Sequence, residues 1–197
     1  IPWAAAQGIT LHDHRPSYTF RVSINDTQVA PFLLERALRG HSRLAVLIEQ
    51  SPWGRSNEAA LRPLLERLPA GSVEVVWYQS GDEGVDATVD ELVRAGRQAI
   101  VFVGNGIEAG LVVRALARQD KPVPVFAHWA LVGGDFWGAN QARLEKVDLR
   151  FAQSVVEDDA PKNRNLASFL ASYRQRYGLG GRAPVPSLMG SAHAYDA

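Results

Sequence analysis

The sequence has no cysteine and a single methionine in 197 residues. Without cysteine there are no disulfides, no thiolate nucleophile and no cysteine-ligated zinc. Long apolar runs are also missing, and none approaches the ~20 residues that cross a bilayer as a helix. Nor is there an excess of either charge: Lys+Arg and Asp+Glu both number 21, for a formal net charge of zero. Nucleic acid and anionic membranes select a basic face, so neither is expected as the main partner. What is present is ample apolar material, 46% hydrophobic against 21% charged, enough for a buried core in one ordinary domain. The chain opens on Ile1-Pro2-Trp3 and closes on Tyr195-Asp196-Ala197, partway through a helical pattern. Both ends predict a longer protein, with room for a leader upstream.

Short apolar runs rich in β-branched residues predict buried strands at Leu44–Ile48, Val73–Tyr78, Ala99–Val103, Val123–Ala127 and Leu149–Ala152. Helical spacing fills the intervals. Thr27 to Arg39 reads as a helix capped by Asp26, with Pro31 in its first turn. Ala59, Leu61, Leu64, Leu65 and Leu68 form a second, with Ser56 or Asn57 as N-cap. Val85, Val89, Leu92 and Val93 form a third, ended by Gly96. Ile107, Leu111, Val112 and Leu116 form a fourth, closed by Lys121-Pro122, and Asn165 to Tyr177 a longer one ending at Gly178. This alternation predicts an α/β fold, a doubly wound, mainly parallel sheet with helices on both faces. Ligands of such sheets sit outside the carboxyl ends of the strands, which directs attention to loops 49–56, 79–84, 104–107 and 128–138. Residues 1–25, with an alternating strand at Tyr18–Val22, and the Gly/Pro-rich residues 178–197 stand outside the rhythm and read as connectors.

Catalytic signals are thin. Gly104-Asn105-Gly106-Ile107-Glu108-Ala109-Gly110 opens a helix after a strand, as a phosphate-cradling turn does. It follows the third strand rather than the first, and no acidic residue for a ribose ends the next strand. A tight turn with Gly110 packing a helix on the sheet is the expected reading. His12-Asp13-His14 lacks a third metal ligand nearby and reads as a solvated turn. Ser51, Ser154 and Ser191 lack a nucleophile-elbow context. His128, the one histidine at a predicted strand end, has no evident acid partner, and Asp158-Asp159 before Ala160-Pro161 reads as a helix start. No catalytic residue, metal or cofactor is therefore expected. Aromatics beside glycines are more telling: Trp53 in Ser51-Pro52-Trp53-Gly54, Trp129 after the fourth strand, and Phe136-Trp137 in a Gly-flanked loop. Trp53 is the best candidate to cover a flat or apolar ligand, whereas Phe136 and Trp137 are expected to pack a short helix.

Several of these features, in their order, resemble the type I periplasmic-binding-protein family, in its branched-chain amino-acid receptor branch, the extracellular ligand-binding receptors of ABC transporters. Ile1-Pro2-Trp3-Ala4-Ala5-Ala6-Gln7-Gly8 is similar to the last strand of the first lobe and its ligand-touching turn. Tyr18-Thr19-Phe20-Arg21-Val22-Ser23 resembles the strand that crosses the hinge, and Ser51-Pro52-Trp53-Gly54 the family's aromatic-Gly turn. Val103–Glu108 is similar to the third-strand turn, and Ala192-His193-Ala194-Tyr195-Asp196-Ala197 to the helix after the return crossing. The resemblance implies a first-lobe end and hinge crossing over 1–25, the second ligand-binding lobe over 26–177, and a return crossing over 178–197.

The implied function is capture of a small solute by hinge closure and delivery to a membrane permease, in the periplasm or outside the cell. The implied ligand contacts are Trp53 and Gly54, then Asn105 and Gly106, then His128 and Trp129. From the first-lobe edge the resemblance adds Ala5, Ala6 and Gln7, offering backbone N–H groups to a carboxylate. Ala130 stands where amino-acid receptors of the family usually carry a carboxylate for the ligand ammonium, and a buried ammonium without a counter-charge costs several kcal/mol. That departure predicts an aromatic or aliphatic carboxylate, or an amide, rather than a plain amino acid. A sensor lobe of the same fold and a nucleotide-binding enzyme are the alternatives.

Overall fold

A computed structural model of the chain describes residues 7–12, 15, 16, 18, 24–132, 135–153 and 162–178. The chain divides into two compact units, and residues 25–152 make up most of the larger. In the other unit, β1 (Leu11–His12) pairs antiparallel with β2 (Arg15–Pro16), and α6 (Arg164–Tyr177) ends at Gly178 with φ 62°. Tyr18 is exposed. The rest of the strand expected at Tyr18–Val22, the pair Asp13-His14, Asp158-Asp159, Ser154 and the connector after Gly178 lie outside the described residues.

The larger unit holds one five-stranded parallel sheet in the order β4-β3-β5-β6-β7. The strands are β3 (Leu44–Glu49), β4 (Val73–Tyr78), β5 (Ala99–Val103), β6 (Val125–Ala127) and β7 (Leu149–Phe151). Every residue of β3 and β5 is buried, because these central strands are covered on both faces. Two helix layers provide the cover. One contains α1 (Asp26–Leu38), which lies against β5 and β6, and α2 (Pro52–Leu65) beside it. The other contains α3 (Val85–Arg94), α4 (Gly106–Leu116) and α5 (Phe136–Leu144) in sequence. The core runs through Leu47, Ile48, Ile100, Phe102, Leu34, Leu61, Val89 and Leu116.

Local chemistry moved several boundaries. α1 is capped by Asn25, whose side chain accepts from Thr27 N at 2.8 Å, so Asp26 is not the cap but the first helical residue, and it is fully buried. Pro31 consequently lies inside the helix rather than in its first turn. α2 begins with Ser51 as N-cap, its hydroxyl accepting from Gly54 N at 3.1 Å, and with Pro52 in the first helical position. The start expected near Ser56 or Asn57 is thus several residues too late, and Trp53 belongs to a helical turn rather than a loop. β6 starts at Val125 because Pro124 has no N–H to give a ladder, although its carbonyl still accepts from Ile100 N at 3.0 Å. Gly96, at φ 78°, ends α3 as expected, with its N–H on Val93 O and Arg97 N–H on Leu92 O.

Candidate functional site at the carboxyl edge of the sheet

α1 and α2 both start at the carboxyl ends of the strands, and β6 ends there. Their junction gathers Asp26, Trp53, His128 and Trp129. The indole Nε1 of Trp53 donates to Asp26 Oδ1 at 3.1 Å. His128 lies edge-on to Trp53, with ring centroids 5.1 Å apart, and packs against Trp129 at 3.7 Å. Its Nε2 is 3.8 Å from Asp26 Oδ1, beyond hydrogen-bond range. His128 is 1% exposed, and neither ring nitrogen has a hydrogen-bond partner among the described residues. Burial, not offset by the carboxylate at that distance, pushes its pKa down to about 3. The imidazole is therefore neutral at physiological pH. His128 does have an acid close by, one that the sequence could not show because Asp26 is distant in the chain and reads there as a helix cap.

A second constellation lies on the opposite face of the same edge. In the strand order β4-β3-β5 the chain leaves β3 toward β4 and then crosses back to β5, so the topological switch point falls between β3 and β5. Ile48 pairs with Val103, and Glu49 with Tyr78. Alternation therefore sends Glu49 and Tyr78 to one face, while Ile48 faces Gly54 of α2 on the other. Glu49 is 7% exposed and accepts from Asn105 Nδ2 at 2.9 Å. Glu108, in the first turn of α4, is also buried and accepts from Gly81 N at 2.8 Å and Ser80 Oγ at 3.4 Å, which fixes the loop after β4. The Tyr78 hydroxyl donates to Val103 O at 3.3 Å. Its pKa is raised, first by burial and then by the negative charges of Glu49 and Glu108. A Cβ on Gly104 would collide with that hydroxyl, so glycine here makes room for Tyr78. Two buried carboxylates beside the 104–110 turn place negative charge where a phosphate would have to sit, which counts against the phosphate-cradle reading.

The site residues expected from sequence thus divide. Trp53 and His128 come together beside Asp26, and Trp129 joins them by packing on His128. Asn105 is exposed and tied to Glu49, with Gly106 behind it as the first residue of α4. Gly54 is buried, and a Cβ there would strike the Glu49 carbonyl oxygen, so its place is to seat α2 on β3. Gln7 opens a 3-10 turn, Gln7–Ile9, while Ala5 and Ala6 lie outside the described residues. Phe136 is buried and Trp137 packs on Phe151, both serving α5 as expected. Sequence reasoning missed Asp26, Glu49 and Glu108. The signal for Glu49 was its place at the end of the apolar run Leu44–Ile48. Away from the edge, a groove of about 420 Å³ lies between α4 and α5, lined by Ile107, Leu111, Arg114, Phe136 and Arg143 among others. Among the described residues no helix is long and apolar enough to cross a membrane, and no three His, Cys, Asp or Glu side chains form a group that could hold a metal.

The backbone around this edge matches an extracellular ligand-binding receptor from Verminephrobacter eiseniae with a TM-score of 0.71, over 89% of this chain and 50% of that one, at 20% identity. The lobe has the type I periplasmic-binding-protein fold. A leucine-binding protein, LivK, from Thermotoga maritima shares it at a TM-score of 0.70 and 20% identity, over 89% of this chain and 50% of that one. In sequence, a Leu/Ile/Val-binding protein homolog of Brucella melitensis is 23% identical over 149 residues, 73% of this chain and 40% of that protein. No protein-family model matches the sequence. The chain spans about half the length of the solved structures named here and less than half of the curated relative. These relatives are binding proteins rather than enzymes, and their names place them among amino-acid and extracellular ligand-binding receptors.

Proposed function

We propose that this lobe belongs to the solute-binding receptor of an ABC transporter and captures a small carboxylate-bearing or amino-acid-like solute by hinge closure. The observation that carries the reading is the tethered aromatic cluster Trp53–His128–Trp129 at the carboxyl edge of a parallel sheet, the edge where ligands of this architecture bind. A ring held by Asp26 presents area with little rotamer freedom left to lose, so contact with a ligand costs less on binding. Closure follows if the solute also touches an opposing lobe, since a ligand shifts a hinge only through contacts made in the closed state. Delivery to a membrane permease, outside the cytoplasm, belongs to the same proposal, as does the absence of chemistry on the solute. The buried neutral His128 supports that last point: at a pKa of about 3 it is a poor general base at neutral pH. Mass spectrometry of solute released by denaturing the full-length protein tests the reading. The expected result is a stoichiometric small carboxylate or amino acid that rebinds to the refolded protein. Turnover of the released compound, or absence of any solute together with no binding in a calorimetric screen of such compounds, would overturn it.

A further inference from the structure

We propose that the groove between α4 and α5 is a second binding site, separate from the carboxyl edge, for a single-chain aliphatic carboxylate. The groove holds about 420 Å³ and is lined by buried Phe136, half-buried Leu111 and exposed Ile107. That volume falls in the range of small-molecule sites, which are likewise mostly apolar with a few placed polar groups. Ile107 is 79% exposed, so a large branched side chain stands uncovered beside the groove. Gly110 and Ala139 line the same stretch and carry too little side chain to fill it. Ten residues line the groove, against the ~20–30 a side of a specific protein interface, so its size suits a small molecule rather than a protein segment.

Charge gives the chain a direction. Arg143 lines the groove and is exposed; its Nη1 donates to Ala139 O at 3.2 Å, and no carboxylate pairs with it among the described residues. Arg114 of α4 lines it too, but Asp86 already accepts from its Nε at 3.2 Å and its Nη2 at 2.8 Å. The guanidinium left without a counter-charge is therefore that of Arg143, a planar fork that matches a carboxylate. Asp135 lines the groove about two turns earlier, at the start of α5, where a second carboxylate would meet a like charge. The head thus belongs at Arg143, and the chain runs back over Leu111, Phe136 and Ile107. Along α4 the stretch from Ile107 to Arg114 covers about two turns, ~10 Å, enough for a chain of medium length.

Calorimetry on the full-length protein tests the site with octanoate, with octyltrimethylammonium, which has the chain but the opposite charge, and with acetate, which has the head without the chain. The expected result is octanoate binding 10-fold or more tighter than either of the others. Arg143→Gln removes the charge and Ala139→Trp fills the groove, and each is expected to weaken octanoate 5-fold or more. Both positions are exposed, and circular dichroism checks that the variants fold. The wild-type comparison of probes stands even if a variant folds poorly. Affinity for a solute co-purified at the carboxyl edge is expected to be unchanged in both variants, which separates this site from the receptor reading. Octanoate binding that survives both substitutions in folded protein would overturn the proposal, as would equal binding of the cationic probe. No octanoate binding at millimolar concentration, or loss of octanoate and co-purified solute together, would overturn it as well and leave the receptor reading standing.

Discussion

His128 ties the stability of the lobe to pH through its burial. Unfolded, it titrates near 6.5; folded, its pKa is pushed to about 3. Between those values the unfolded chain holds a proton that the native state does not, so stability rises with pH across that window and is flat with respect to this residue above it. As pH falls from about 6.5 toward 3 the loss from this one group approaches ~1.4 kcal/mol per pH unit. Urea unfolding at pH 7.5, 5.5 and 4.5 is expected to show that loss in the wild type. His128→Phe, which keeps a ring between the two indoles, is expected to remove this component of the slope. Trp53 offers a separate test, because its N–H is one of the donors to fully buried Asp26. Trp53→Phe keeps an aromatic ring but drops that bond, and thermal unfolding is expected to show about 1–3 kcal/mol of destabilisation.

At the scale of elements, the carboxyl edge depends on how closely α2 and α4 approach their strands. Gly54 lets the first turn of α2 rest on the last carbonyl of β3, and Gly104 clears the path of Tyr78 between β4 and β5. Neither has positive φ, so the requirement is space rather than backbone freedom. Gly54→Ala must push backbone against backbone and is expected to cost about 1–3 kcal/mol or more, read as a lower urea midpoint at unchanged m-value. Gly110, by contrast, would place a Cβ 3.3 Å from the Asn140 amide, a tight contact with a side chain rather than a collision with backbone. Gly110→Ala is expected to be much milder than Gly54→Ala in the same assay. Together the pair separates a helix seated on a strand end from a helix packed beside another helix.

At the scale of the whole chain, 21 Lys+Arg against 21 Asp+Glu leave no net charge to draw polyanions. If the solute is held by hinge closure, small-angle scattering of the full-length protein is expected to show a smaller radius of gyration with ligand than without. An unchanged profile at saturating ligand would contradict closure while leaving the edge as a binding surface. The same proposal makes affinity sensitive to Trp53, the ring that Asp26 holds at the sheet edge.

The order of strands and helices was legible in the sequence, because burial on both faces writes itself as continuous apolar runs, and runs such as Ala99–Val103 appear at their observed bounds. Helix ends were legible where one residue acts alone, as Gly96 does, and not where a cap and a proline cooperate, as Ser51 and Pro52 do at the start of α2. Trp53, His128 and Trp129 could be suspected from their positions after strands. The acid beside them could not, since Asp26 reaches Trp53 and comes within 3.8 Å of His128 only once α1 has crossed to the edge beside β6. Glu49 is the sharper case. In sequence it is the polar end of an apolar run. Strand pairing turned it toward Tyr78, and the chain reversal beyond β4 brought Asn105 to it. Sequence by itself determined which apolar runs become strands and helices, through local pattern. Tertiary structure alone decided which buried charges meet, because that depends on register and crossover, which no local pattern records.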